Sequence, residues 1–149
     1  MLRSGKRLLL LTALVTACGS PRPQASWDDA RLAAALTAPD SETRSRAAYL
    51  LGERNADDAY WPLVRALGDG RWEVRADAAR ALGRVKRRDA LIPLSHALRD
   101  RHWWVRVKAI QALGERRDPA AVPFLSAALA DENESARAAA AQSLQEVRQ

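Results

Sequence analysis

Apolar and polar positions along this chain follow two periods at once. The short one is helical. In "WEVRADAARALG", Val74, Ala78, Ala81 and Leu82 fall at i, i+4, i+7 and i+8, one face of a helix. In "DALIPLSHAL", Leu91, Leu94 and Leu98 share a face, and Asp89 stands where a cap for that segment belongs. Pro62, Pro93 and Pro123 fall near the starts of such second segments, where proline is tolerated. Asp118-Pro119 is the clearest cap followed by a proline at the first helical position. Gly83 follows the first segment, at the usual left-handed C-cap position.

The long period is 31 residues, the step between Gly52, Gly83 and Gly114. Leu51, Leu82, Leu113 and Leu144 keep it, as do Arg44, Arg75, Arg106 and Arg137, and Ala47, Ala78, Ala109 and Ala140. A second set, Leu32, Leu63, Leu94 and Leu125 with Leu36, Leu67, Leu98 and Leu129, keeps it too. Chance does not align six columns. The pattern predicts first helices near 41–52, 72–83, 103–114 and 134–147. Second helices are predicted near 27–37, 58–67, 88–98 and 119–129. No such unit can bury its apolar face alone, so neighbours must stack. The predicted fold is all-α, a right-handed α-solenoid of helix pairs. Trp72 and Trp103 are one period apart, so they should stack at the starts of successive first helices, with Trp104 beside the second.

The stretches "LGDGRWEVRADAARALGRVKRRDALIPLSHAL" (67–98) and "LRDRHWWVRVKAIQALGERRDPAAVPFLSAAL" (98–129) carry Leu-x-Asp, Val-Arg, Ala-x-x-Ala-Leu-Gly, then Pro and Ala-Leu. This pattern resembles HEAT-like repeats of the short subclass named after phycobilisome lyases, over about residues 27–147. The resemblance implies a repeat junction built from the arginine and aspartate columns: Arg75, Arg106 and Arg137 with Asp69, Asp100 and Asp131. The first unit departs from it, with Ala38 in the aspartate column and Asp40 displaced by two, and so reads as a looser cap. Repeats of this type specify a fold and only loosely a function.

Ahead of the repeats, residues 1–7 are basic and Leu8 to Ala17 form a ten-residue, mainly apolar stretch. That suits a signal-peptide core and is too short to span a bilayer, which takes about 20 residues. "Val15-Thr16-Ala17-Cys18" resembles the bacterial lipobox. The resemblance implies diacylglycerol on the Cys18 sulfur, cleavage before it, and an acyl chain on the new amino group. Two or more chains anchor stably where one holds only marginally. Gly19 after the cysteine leans towards the outer membrane, where aspartate would signal inner-membrane retention. An ordinary secretory cut after Ala17 is the competing reading and would leave a free thiol. A structural cysteine fits poorly among Gly19, Ser20, Pro21 and Pro23. The division is therefore 1–17 signal peptide, 18–26 lipidated cysteine and tether, and 27–149 repeat domain.

Composition alters this picture in one respect. The chain of 149 residues carries a formal charge of +6 from 24 basic and 18 acidic side chains. Arg3, Lys6 and Arg7 supply half of the excess, so nucleic acid is not the expected partner. His96 and His102 are the only histidines, and neither is followed by glutamate, so iron chemistry through His-Glu pairs is not supported. No serine has a histidine partner at fixed spacing. No cofactor beyond the lipid on Cys18 is expected.

What remains is a surface. Arg84, Lys86, Arg87 and Arg88 crowd one loop, with Arg116 and Arg117 one unit on and Arg54 one unit back. Trp72 and Trp103 add aromatic anchors. Arg65, Ser95, His96 and Ser126 are expected to point outward from a shallow concave face of second helices. The expected function is a non-enzymatic, lipid-anchored scaffold or adaptor for another protein of the bacterial cell envelope, at the outer membrane facing the periplasm. The alternative is an accessory subunit of an enzyme complex, as in the bilin-lyase relatives.

Overall fold

A computed structural model describes residues 21–149. The signal peptide and the lipid-bearing Cys18 expected within residues 1–20 lie outside the described residues. The chain is an all-α solenoid of stacked helix pairs. The pairs are α1 (Asp29–Ala35) with α2 (Ser41–Glu53), α3 (Tyr60–Ala66) with α4 (Trp72–Arg84), α5 (Leu91–Ala97) with α6 (Trp103–Glu115), and α7 (Val122–Ala128) with α8 (Glu134–Val147). Asp28, Asp40 and Asn133 cap α1, α2 and α8 by accepting from backbone N–H groups of the first turn.

The second helices are shorter than the periodicity predicts. Each of the last three enters through a 3-10 turn (Asp57–Ala59, Arg88–Ala90, Pro119–Ala121) before seven α-helical residues. Asp118 caps its turn as expected, accepting from the Ala120 N–H at 2.9 Å. Asp89 does not cap. Its carboxylate takes Arg87 at 2.8 Å instead.

Two rows of helices result. The first-helix row, α2, α4, α6 and α8, is closely packed along its length, whereas α3, α5 and α7 scarcely touch one another. Glycine explains the closeness. Gly52, Gly83 and Gly114 are buried inside their helices and are not C-caps. A Cβ on Gly83 would lie 2.6 Å from the Ala112 Cβ and 2.8 Å from its Cα, and one on Gly114 would lie 2.6 Å from the Ser143 Cβ. The left-handed reversals fall three residues later, at Asn55 (φ 52°) and Arg117 (φ 50°). Between the rows lie the leucine columns, with Leu32, Leu51, Leu63, Leu82, Leu94, Leu113 and Leu125 fully buried.

A ladder of ion pairs locks one repeat to the next. Arg44 grips Asp69, Arg75 grips Asp100 and Arg106 grips Asp131, each through Nε and Nη2 at 2.7–3.0 Å. The spare Nη1 donates to carbonyls of the preceding turn: Ala38 and Pro39, Asp69 and Gly70, or Asp100. Each aspartate also accepts the backbone N–H two residues on. The ladder therefore differs from the expected pairing. Arg44 belongs to it even though Ala38 replaces the aspartate of its own turn, because that turn supplies only a carbonyl. Arg137 has no next repeat and donates to the Asp131 and Glu132 carbonyls alone.

Three variants test this frame by urea unfolding. Gly83→Ala is expected to cost about 1–3 kcal/mol from overpacking, despite the roughly 1 kcal/mol that alanine adds to helix propensity. Gly70→Ala, where a Cβ meets nothing within 4 Å, should be near neutral. Arg106→Ala leaves the largely buried Asp131 carboxylate without its guanidinium and should cost up to about 3–5 kcal/mol.

Candidate functional site

The two rows expose different chemistry. On the second-helix row the outward side chains are large and apolar at the helix starts: Trp61 is 59% exposed, Ile92 60% and Phe124 38%. Arg65 and His96 follow one turn later on the same faces, exposed as expected. Because α5 and α7 are splayed, a groove of about 560 Å³ opens between them, with Ile92, His96 and Arg99 on one wall and Phe124 and Ala127 on the other. A smaller groove of about 270 Å³, lined by Val64, Leu67, Pro93 and His96, lies between α3 and α5. His96 borders both. The close-packed row is the first-helix one, and the second helices stand as ridges with grooves between them.

The basic loop residues have different partners. Arg116 is half-buried and donates to the carbonyls of Leu82, Gly83, Val85 and Arg87 at 2.5–3.5 Å. It thereby satisfies the end of α4, which has no cap of its own for those acceptors. Burial pulls its guanidinium below the ordinary arginine value, and its Nε has no partner. Arg84 is tied to Glu53 at 2.6 Å, and Arg54 to Asp29 at 2.8 Å. Arg87 pairs with Asp89 and lies 4.5 Å over the Tyr60 ring. Lys86, Arg88 and Arg117 are exposed and form no ion pair among the described residues.

The tryptophan column is also rearranged. Trp72 and Trp103 do not stack on each other, because His102 lies between them. Its ring is 4.2 Å from Trp72 at 6° and 6.1 Å from Trp103 at 20°. His102 is there because it caps α6, accepting the Trp104 N–H at Nδ1 (3.3 Å). Trp104 meets Trp103 edge-on at 5.3 Å and carries the Lys108 ammonium 4.4 Å above its ring.

Sequence reasoning missed a third feature, on the first-helix row. The Ser45 hydroxyl donates to Asp77 across α2 and α4. Arg80 bridges Glu53 (2.5 Å) and the Tyr49 ring (4.5 Å). A cleft of about 560 Å³ opens beside them, lined by Glu42, Ser45, Tyr49 and Asp77, with Arg22 and the buried Pro23 of the segment before α1. Burial pushes the Asp77 carboxyl up and pulls the Lys108 ammonium down. The 31-residue step that joins Arg46, Asp77 and Lys108 was visible, but polar columns on an outward face do not announce a cleft. Among the described residues, no three His, Cys, Asp or Glu side chains are placed to hold a metal ion.

A model of HEAT repeats matches residues 29–104 and 93–149. No curated relative matches the chain. Among solved structures it is similar to human deoxyhypusine hydroxylase in complex with glycerol (26% identity, TM-score 0.71, 87% of this chain and 46% of that one). It also resembles the complex of CpcE and CpcF of phycocyanin lyase from a Nostoc species (22%, 0.62, 89% and 68%). A third similar structure is an Escherichia coli protein (23%, 0.66, 82% and 49%). The chain spans less than half the length of the human hydroxylase chain.

The ladder and Asp77 titrate in opposite directions. Arginine hydrogen bonds hold Asp69 and Asp131 below the ordinary carboxylate value, and at Asp100 burial opposes the same effect without overcoming it. Their stabilisation is complete above the unfolded carboxylate pKa of about 3.9 and disappears as pH falls through the lower folded values. Asp77 is raised, so its contribution is present below that pKa and is lost as pH rises through the folded value. Thermal melts should therefore show Asp100→Asn destabilising at pH 7 and Asp77→Asn neutral or stabilising at pH 7.

Proposed function

Because the chain belongs to the HEAT-repeat family, we propose that it works as a protein-binding subunit of a larger complex, with no reaction of its own. The observation that carries this reading is the second-helix row. Three large apolar side chains, Trp61, Ile92 and Phe124, stand in solvent on helices that the ladder holds rigidly. Exposed apolar patches of this kind mark interaction sites. The likeness to a complex of two proteins of phycocyanin lyase supports the accessory-subunit form of the role over a free-standing adaptor.

A second reading adds the address. The stretch "Val15-Thr16-Ala17-Cys18" favours a lipid anchor in the cell envelope. Pro23 is buried at the cleft beside α2 and α4, and Arg54 donates to the Ala25 carbonyl. Only about four residues then separate Cys18 from the folded surface, a reach of about 14 Å when extended. The α1 end of the solenoid would lie against the bilayer, leaving α3 to α7 open to a partner.

Photo-crosslinkers at Ile92 and, as a second site, at Trp103 test the binding role in intact cells. A specific protein adduct at either position is expected; adducts at neither, with the protein correctly located, would overturn it. An absorbance band of the purified complex above the tryptophan region would make the partner assembly an enzyme with a chromophore. Cys18→Ser should release the protein from membranes while leaving its circular dichroism unchanged; full retention would remove the anchor.

A further inference from the structure

The rungs of the ladder decide the charge of the docking row. The turns that follow the second helices contain Asp69, Asp100 and Asp131, and all three are spent on Arg44, Arg75 and Arg106. The cations of the same row are not matched. Arg65, Arg99 and Arg101 form no ion pair among the described residues, and Arg101 donates only to the Gly70 carbonyl at 3.4 Å. The row therefore presents an apolar stripe at the helix starts and a basic patch at the ends of α3 and α5; beyond α7 the exposed Glu132, held by Arg106, takes the place of a cation.

We infer that this row binds an acidic amphipathic helix of a partner protein, laid across α3, α5 and α7 with its apolar face on Trp61, Ile92 and Phe124 and its acidic flank towards Arg65 and Arg99. This rests on the protein-binding role proposed above and specifies its partner. The dimensions agree. Packed helices stand about 10 Å apart, and these are splayed further, so the outer members of the stripe lie at least about 20 Å apart. A helix of about 13 residues or more covers that span. Its anchors would recur at i, i+3, i+4 and i+7, the pattern of helix-in-groove recognition. The grooves on either side of α5 give an occupant side chains to fill, which a flat bilayer surface does not.

The test uses the full chain and two synthetic helical peptides with the same leucine face, one flanked by glutamates and one by lysines. Fluorescence anisotropy should show the acidic peptide binding and the basic one binding at least about tenfold more weakly. Ile92→Glu should weaken the acidic peptide about tenfold or more. The double variant Arg65→Glu, Arg99→Glu should reverse the preference between the peptides. All three positions are exposed, so an unchanged melting temperature confirms that the fold survives. Equal binding of both peptides, or an acidic peptide unaffected by these variants, would overturn the inference. So would Ile92-dependent binding of phosphatidylglycerol vesicles without peptide binding, or Ile92-dependent self-association in sedimentation. If the peptides fail while a partner crosslinks through Trp103, the protein-binding role stands and this surface assignment falls.

Discussion

The Asp100 carboxylate accepts two hydrogen bonds from the Arg75 guanidinium and a third from the His102 backbone N–H. The same arginine reaches back to the carbonyls of the turn before its own helix. One rung thus holds two turns and two helix starts in a fixed relation. A bidentate pair is geometrically specific as well as strong, and both members are nearly buried, so neither half tolerates loss of the other. Three such rungs in register turn a stack of helix pairs, each too small to fold alone, into one body.

The rungs set direction, and the glycines set distance. Gly52, Gly83 and Gly114 let each first helix approach the next until a methyl group would no longer fit. With the first-helix row drawn together there, the short second helices diverge on the other side. Ridges, grooves and exposed apolar ends follow from that divergence. The same closeness gathers polar side chains of α2, α4 and α6 into the network around Asp77 and Lys108. Burial raises the Asp77 carboxyl, so its ionisation opposes folding at neutral pH.

The fold was legible in the sequence because a 31-residue repeat writes the same instruction four times. Leucine columns gave the core, and the arginine and aspartate columns gave the junction. Register within the junction was less legible. The first unit read as a looser cap because Ala38 stands in its aspartate column, whereas Arg44 pairs 25 residues on with Asp69 of the next turn. Gly83 read as a cap because composition cannot separate a glycine needed for left-handed backbone from one needed for a close approach. The basic loop misled for a similar reason. Arg116 counts as a surface charge in sequence, but its guanidinium is taken up by carbonyls at the end of α4. Nothing in the sequence marks His102 as the cap of α6, and its insertion between Trp72 and Trp103 depends on neighbouring repeats.

Charge on a solenoid is therefore decided by which residues the repeat junction consumes. The chain without its first basic segment is only slightly positive, and no stretch of the second helices looks strongly basic. Yet the junction withdraws the aspartates of three successive turns and leaves Arg65, Arg99 and Arg101 outside. Each arginine it uses lies on a first helix, so the withdrawal is one-sided: the second-helix row loses carboxylates and gives up no cations. An array built on this ladder acquires a basic second-helix row wherever those helices and turns carry arginines of their own. The apolar ends of the same helices then supply the contact area that charge alone does not.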